Sequence, residues 1–148
     1  MKSVTIRRAA ACDAEAVVEF ARAFHQEDGH PLPAEGVGAL LKMLEPECRD
    51  GEVFLACFDG EICGYGVLCY GYSIEYGGRD AFLDDVYIVP AFRSRGLGGA
   101  LIVVLEERAR ATGCRALHLE VMPGNRAEDW YSRLGWRDRG SRLLTKPL

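Results

Sequence analysis

The first third of the chain combines one extended segment with two helical patterns. Residues 4–7 are predicted as a strand, and Asp13 is the expected N-cap of a first helix. Apolar residues then recur at the i, i+3, i+4, i+7 spacing of one helical face, namely Val17, Phe20, Ala21 and Phe24. Residues 25–33 hold one glycine and two prolines and are predicted as a loop. A second helix shows the same spacing, in Val37, Leu40, Leu41 and Leu44.

The middle of the chain has the pattern of an antiparallel meander. Residues 53–58 form a short apolar run, and Asp59-Gly60 after it is a strong hairpin-turn signal. Residues 62–74 are rich in Tyr, Val, Leu and Gly and are predicted as a long strand. A turn over residues 77–80 leads into a further strand over residues 81–89, which Pro90 ends.

The last third returns to alternating helices and strands. A glycine-rich segment leads into a helix that Gly113 closes, and residues 116–121 alternate as a strand. A short amphipathic helix is predicted from Asn125 to Leu134-Gly135, followed by a hairpin over residues 136–146. This order of elements predicts an α/β (mixed α+β) fold in which helices flank a mixed sheet.

Composition is that of one globular domain over residues 1–148. The chain is 49% hydrophobic and 27% charged, which argues against intrinsic disorder. A net charge of −4 and a pI of about 5.4 argue against a nucleic-acid partner. The N-terminus has no long apolar stretch, so we expect neither a signal peptide nor a membrane span. None of the six cysteines forms a Cys-x-x-Cys pair, and buried thiols in a reducing cytoplasm are expected.

Residues 93–99, which we call the glycine loop, carry the strongest functional signal. The loop joins a predicted strand to a predicted helix, whose N-terminus presents about four unpaired N–H groups to an anion. Arg93 and Arg95 add charge that suits a diphosphate. A Walker loop would end in Gly-Lys-Ser/Thr, and a dinucleotide fingerprint would have glycine where Leu101 stands, so neither motif is present. A tight turn without a ligand is the alternative.

Two motifs together resemble the GNAT superfamily of acyl-CoA N-acyltransferases. Residues 82–90 (Phe-Leu-Asp-Asp-Val-Tyr-Ile-Val-Pro) run into Arg93-x-x-Gly96-x-Gly98, which is similar to the family's Arg/Gln-x-x-Gly-x-Gly/Ala loop for the coenzyme A pyrophosphate. Residues 125–136 resemble a second motif, consisting of an asparagine, an aromatic-Tyr pair and Leu-Gly-aromatic. The resemblance spans nearly the whole chain, and residues 81–101 are most similar to the small polyamine and diamine acetyltransferase branch.

The sequence departs from the family pattern at two points. Ser94 stands where the family usually has glycine, and the interval from Asn125 to Tyr131 is one residue shorter than is common. The second departure leaves open whether Asn125 contacts the cofactor or only caps its helix.

The resemblance implies a central, mostly antiparallel twisted sheet, acetyl-CoA as the acyl donor and a homodimer. It assigns to the cofactor the residues Val86, Tyr87, Ile88, Arg93, Ser94, Arg95, Gly96, Leu97, Gly98, Gly99, Ala100, Asn125 and Tyr131. Backbone N–H groups of residues 86–88 would pair with the pantetheine arm, and one would stabilise the oxyanion. Tyr131 is implied as the proton donor to the leaving thiolate, and a core tyrosine beside two tryptophans is the alternative reading of it.

The acceptor amine needs a base, because aliphatic amines have a pKa near ~10.4 and arrive protonated. Carboxylates at Asp84, Asp85, Glu75 and the Glu27-Asp28 pair are the candidates. We favour Asp84 or Asp85, which adjoin the cofactor strand. Only one of the two is expected to face a given cleft, because successive strand residues point to opposite sides. Solvated acids or turn residues are the alternative.

The residues predicted to bind a cationic acceptor are Glu27, Asp28, Glu75, Tyr76 and Asp84. For Tyr76, as for Tyr70 and Tyr72, a half-buried strand face is the alternative. No metal is expected, because His25 and His30 belong to no cluster with ligand spacing. The sequence thus predicts an N-acetyltransferase that acts on a small cationic amine by direct attack in a ternary complex. A protein or peptide amine acetyltransferase, or a non-catalytic acyl-CoA-binding module, is the alternative.

Overall fold

A computed structural model describes all residues, 1–148, and places nine main elements around one sheet. They are β1 (Val4–Arg8), α1 (Ala14–Glu27), α2 (Ala34–Lys42), β2 (Gly51–Phe58), β3 (Glu61–Ser73), β4 (Gly78–Ile88), α3 (Leu97–Ala111), β5 (Leu117–His118) and α4 (Ala127–Arg133). Single 3₁₀ turns lie at Ala11–Asp13 and Pro90–Phe92. The mixed α/β fold predicted from the order of elements is confirmed.

The sheet has the strand order β1-β2-β3-β4-β5, and only the β4–β5 pair is parallel. One face carries an apolar core with α1 and α2, built around residues such as Val17, Phe20, Leu55 and Tyr65. The other face packs on α3, whose Leu97, Leu101 and Leu105 are fully buried. The sheet is thus covered on both sides, with β4 between two cores.

Two features of β4 shape the site. Its pairing with β3 shifts register, so that Val67 lies opposite Asp85 while Leu68 lies opposite Leu83, and Asp84 has no partner. This is a β-bulge. Its pairing with β5 is limited to Ala81–Leu117 and Phe82–His118, so beyond Phe82 the edge of β4 has no neighbouring strand on that side.

Three local expectations are wrong. Helix α1 continues through residue 27, so His25 is helical rather than part of a loop. Asp13 is the N-cap residue of α1, as expected, but its side-chain oxygens accept hydrogen bonds from Arg7 and from the N–H of Ala10 and none from the helix. The strand expected over residues 116–121 has only two residues. No hairpin forms over residues 136–146, because β5 offers too short an edge to pair it, and residues 137–148 are exposed.

Candidate active site

The glycine loop presents a run of unpaired backbone donors at the start of α3. The N–H groups of residues 94–99 donate to no protein acceptor, and the first helical hydrogen bond runs from the Ala100 N–H to the Gly96 carbonyl at 3.0 Å. Ser94 and Gly96 both adopt left-handed backbone conformations, with φ of 60° and 80°. This geometry leaves consecutive amides exposed at the positive end of a helix dipole, which is a suitable site for a diphosphate.

The two arginines of the loop are held by other protein groups. The Arg93 guanidinium donates from Nε to the Ile88 carbonyl at 2.8 Å and from Nη2 to the Glu27 carboxylate at 2.9 Å. Arg95 donates to the Ala91 carbonyl at 3.1 Å. Their charges lie beside the loop, but the backbone amides are its free donors.

The edge of β4 that adjoins the loop is open over the residues expected to meet an extended cofactor arm. Val86, Tyr87 and Ile88 lie beyond the last β4–β5 pair. A β4 edge that parts from β5 and ends beside free amides can accept an extended chain through backbone hydrogen bonds.

Helix α4 lies against the start of α3. Trp130 packs so close to Gly98 that a Cβ on that glycine would lie 3.2 Å from the tryptophan Cη2. Tyr131 is half-buried between Trp130 and Trp136, at ring-centroid distances of 4.9 and 6.0 Å. Burial raises the pKa of Tyr131, so its hydroxyl keeps its proton. The Oδ1 atom of Asn125, which lies one residue before the N-cap of α4, accepts a hydrogen bond from the N–H of Ala127 at 2.9 Å.

A small cavity lies on the opposite side of β4, between α1, α2 and the bulge. Its volume is about 170 Å³, and its polar lining consists of His25, Asp84 and Asp85. Leu32, Leu40, Met43 and Val67 supply apolar walls. We call this feature the acidic cavity.

Both adjacent aspartates reach the acidic cavity, so the expectation that only one could do so is wrong. The bulge at Asp84 interrupts the alternation of the strand, and the next residue, Asp85, lies on the same side. Cys69 lies near both carboxylates. Burial, followed by these negative charges, raises the pKa of the Cys69 thiol to about 12.

The two aspartates have different surroundings. Asp84 is exposed and lies within hydrogen-bonding reach of the Cys69 thiol, whereas Asp85 is only 6% exposed. The Tyr65 hydroxyl donates to Oδ2 of Asp85, and Nε2 of His25 lies 3.1 Å from the same oxygen. Burial raises the pKa of Asp85, while its bonds to Tyr65 and His25 favour the charged form.

His25 is the site residue that the sequence analysis missed. The glycine and prolines after it predict a loop, although His25 lies four residues after Ala21 and eight after Val17, on the buried face of α1. That spacing was the available signal, and the following glycine and prolines obscured it.

Of the predicted acceptor-binding residues, only Asp84 lines the acidic cavity. Glu27 is paired with Arg93, and Asp28 has no side-chain partner. Glu75 is paired with Arg139 at 2.8 Å, and the ring of Tyr76 lies 5.3 Å from that of His118. Glu75 and Tyr76 lie in the turn between β3 and β4, at the opposite end of β4 from the glycine loop.

The chain matches the acetyltransferase (GNAT) family model over residues 14–136. It is 38% identical to the thialysine N-epsilon-acetyltransferase of Bos taurus over 78 residues, which are 52% of this chain and 45% of that protein. It therefore spans about half the length of this relative. It is 30% identical to the aminoglycoside N(6')-acetyltransferase type 1 of Stenotrophomonas maltophilia over 129 residues, covering 84% of this chain and 77% of that protein.

Among solved structures, an integron cassette protein from the mobile metagenome of Cole Harbour Salt Marsh matches with a TM-score of 0.82 at 33% identity. The match covers 97% of this chain and 90% of that one. Within the chain itself, none of the helices has the length and apolar character needed to cross a bilayer.

Proposed function

Because the chain belongs to the GNAT acetyltransferase family, we propose that it transfers the acetyl group of acetyl-CoA to a primary amine of a small cationic molecule. The amine attacks the thioester directly, in a ternary complex. The observation that carries the proposal is the run of unpaired amides in the glycine loop, beside an open strand edge. Both relatives described above are named for acetylation of a nitrogen, which supports an amine as the acceptor.

The donor side of the site fits a coenzyme A ester. Amides of residues 94–99 are free to bind the diphosphate, and the charges of Arg93 and Arg95 favour its approach. The edge of β4 at residues 86–88 has no neighbouring strand and can pair with amide groups of a pantetheine arm, although the Ile88 carbonyl already accepts a hydrogen bond from Arg93. When bound, acetyl-CoA supplies the activated acyl group.

The acceptor side fits a small cation. Two carboxylates and an imidazole lie in a space of about 170 Å³. Liquid water takes about 30 Å³ per molecule, so this volume suits a single aminoalkyl group. Asp84 is the carboxylate free to hold an ammonium ion, since Asp85 is already bonded to Tyr65 and His25. Tyr131 is the proposed acid for the leaving thiolate, and its raised pKa keeps it protonated at neutral pH.

The proposed setting is a reducing cytoplasm, and the proposed assembly is a homodimer. All six cysteines are free thiols, which suits such a compartment. The homodimer rests on the family resemblance alone, and sedimentation at several protein concentrations tests it. No nucleic-acid or membrane partner is proposed for a chain of net charge −4.

Calorimetric titration with acetyl-CoA tests the donor site. Gly99 provides a matched pair of variants, because a side chain at this position would point into open space and the residue lies in the first turn of α3. Gly99→Glu keeps the fold but repels a diphosphate, whereas Gly99→Gln has the same size without charge. We expect wild type to bind and the Glu variant to bind at least about 10-fold more weakly than the Gln variant. No binding at millimolar acetyl-CoA would overturn the proposed function.

An acceptor screen then tests the chemistry. Release of free thiol is followed with diamines, polyamines, amino acids, aminoglycosides and lysine-containing peptides at fixed acetyl-CoA. We expect turnover with small cationic amines. Turnover with peptides alone would assign the protein to the protein-acetylating alternative, and binding without any turnover would assign it to the non-catalytic alternative.

A further inference from the structure

Three polar side chains from three elements meet beside the acidic cavity. His25 comes from α1, Tyr65 from β3 and Asp85 from β4. Tyr65 is fully buried, and both it and His25 bond to the same oxygen of Asp85. Such a network is built from residues far apart in the chain and is fixed by the packing of α1 on the sheet.

The network fixes the protonation of the His25 ring. In the ionised form of Asp85, which its bonds to Tyr65 and His25 favour, the carboxylate can only accept hydrogen bonds, so the Nε2 that faces it carries the ring proton. The Nδ1 atom then holds a lone pair, and no protein group bonds to it. The side chain is 26% exposed and lines the acidic cavity, so a proton can reach it from a bound amine.

We infer that His25 is the base that deprotonates the acceptor amine, and that Asp85 and Tyr65 are positioning residues that hold its ring. The inference rests on the proposed function and departs from the assignment of the base to Asp84 or Asp85. Asp85 is already bonded twice, and an imidazole is a stronger base than a carboxylate. Asp84 remains the counter-charge for the ammonium ion.

The acceptor nitrogen loses two protons during the transfer. One proton leaves the acceptor ammonium for Nδ1 of His25, and the Asp85 carboxylate stabilises the imidazolium ion that forms. The amine lone pair forms the new C–N bond with the thioester carbonyl carbon, and the C–S bond breaks with its electrons going to sulfur. Tyr131 protonates the sulfur and regains its proton from solvent, and the second proton lost by nitrogen also goes to solvent. His25 then returns its proton to solvent, so the net products are amide, free thiol and one proton.

Variants of His25 test the inference with an amine that wild type acetylates. We expect His25→Gln to lower kcat at least about 100-fold, while the acetyl-CoA Kd and the acceptor KM change less than about 3-fold. His30→Gln is the matched control, because His30 is exposed and bonds to no side chain. A kcat of His25→Gln close to that of wild type would overturn the inference alone, whereas an inactive wild type would overturn the proposed function as well.

Two further measurements distinguish a base from a structural residue. Free imidazole should restore at least about 10-fold of the rate lost in His25→Ala, since it can occupy the vacated space and take the proton. Loss of rate without such rescue, at unchanged cofactor affinity, would count against the inference. Nitrogen-15 NMR of the histidine rings should show His25 protonated at Nε2 in wild type, and protonation at Nδ1 instead would overturn the assignment.

Discussion

Arg93 of the glycine loop and Glu27 at the end of α1 form a direct ion pair. The Nη2 atom of the arginine lies 2.9 Å from both oxygens of the carboxylate, and both side chains are about half exposed. The pair links a residue expected to bind the cofactor to one expected to bind the acceptor. Because carboxylates and phosphates bind a guanidinium group in the same way, Glu27 competes with a diphosphate for Arg93.

Removal of that competitor should tighten cofactor binding. Glu27→Gln leaves Arg93 free to meet an incoming diphosphate, and we expect the acetyl-CoA Kd to fall about 2- to 5-fold, as befits an exposed pair worth up to about 1 kcal/mol. Calorimetry at low salt measures the effect. Asp28→Asn removes the same charge from the next residue, which has no side-chain partner, and should change the Kd less than Glu27→Gln does. Equal effects of the two variants would mean that only the overall charge matters.

Tyr131→Phe should lower turnover without loosening the cofactor. The phenylalanine ring can keep the packing against Trp136, but it has no proton to give the thiolate. We expect kcat to fall by about 100-fold or more and the acetyl-CoA Kd to stay within about 2-fold. Steady-state kinetics and calorimetry check this, with Tyr72→Phe as the control because Tyr72 is 79% exposed. An unchanged kcat would remove Tyr131 from the mechanism.

Turn chemistry and helix spacing could be predicted from neighbouring residues alone. Asp59 and Gly60 both adopt positive φ, at 50° and 84°, and form the hairpin turn that the dipeptide predicts. The glycine loop likewise opens a helix, at Leu97. These features depend on the local conformational preferences of a few adjacent residues.

Features that depend on pairing between distant segments could not be predicted. The position of Asp84 in a bulge follows from the register of β4 against β3, and the alternation rule assumes an unbroken ladder. The hydrogen bonds of Asp85 form only if α1 packs on β3 and β4 in one particular position along the strands. The prediction of a C-terminal hairpin is wrong for the same reason. Whether a strand edge is available for pairing depends on the length of β5 and not on the residues of the hairpin itself.

Ser94, which stands where the family usually has glycine, has a backbone conformation that favours glycine. Its φ of 60° lies in the left-handed region, where a Cβ costs roughly 1–2 kcal/mol and glycine costs nothing. Ser94→Gly should therefore raise the free energy of unfolding by about 0.5–1 kcal/mol after the entropy of the more flexible unfolded chain is subtracted. Urea denaturation measures it. Ser94→Ala keeps the Cβ and should bring no gain, so an equal gain in both variants would implicate the hydroxyl instead.

Glu52 ties three elements together from a buried position. Its carboxylate accepts hydrogen bonds from Arg108 on α3 at 2.7 and 2.8 Å and from the Tyr70 hydroxyl, and it lies 3.2 Å from Arg8 on β1. Burial would raise the pKa of Glu52, but the bonds from Arg108 and Tyr70 outweigh it and the pKa is lowered. The charged form therefore stabilises the fold at neutral pH.

Replacement of Glu52 should be among the costly single changes in the chain. We expect Glu52→Gln to lower the free energy of unfolding by about 2 kcal/mol, because it replaces charge-assisted hydrogen bonds at a buried position, while Arg8 and Arg108, at 39% and 40% exposed, stay partly hydrated. Glu106→Gln is the control, since Glu106 faces Arg110 at 3.8 Å on the helix surface and should cost less than about 0.5 kcal/mol. Chemical denaturation of both variants gives the comparison, and a loss below 1 kcal/mol for Glu52→Gln would contradict it.

The ionised side chain of Asp13 stabilises the folded state, and this stabilisation is lost in acid. Hydrogen bonds from Arg7, then from the Ala10 N–H, lower the pKa of Asp13 from 3.8 to about 2. The folded state thus binds this proton less readily than the unfolded chain, so the contribution is complete above pH 4 and disappears as pH falls toward 2. It amounts to about 2 kcal/mol at most, because Arg7 is half exposed.

Asp13→Asn should therefore reduce stability at neutral pH and flatten its dependence on acid. We expect the wild-type protein to exceed the variant by about 1–2 kcal/mol at pH 7 and by progressively less between pH 4 and pH 2, because protonation of Asp13 removes the same charge that the substitution removes. Urea denaturation at a series of pH values measures the difference. Asp28→Asn, at an exposed position without a side-chain partner, should show no such convergence. A wild-type advantage that stays constant down to pH 2 would mean that Asp13 acts through its shape and hydrogen bonds rather than through its charge.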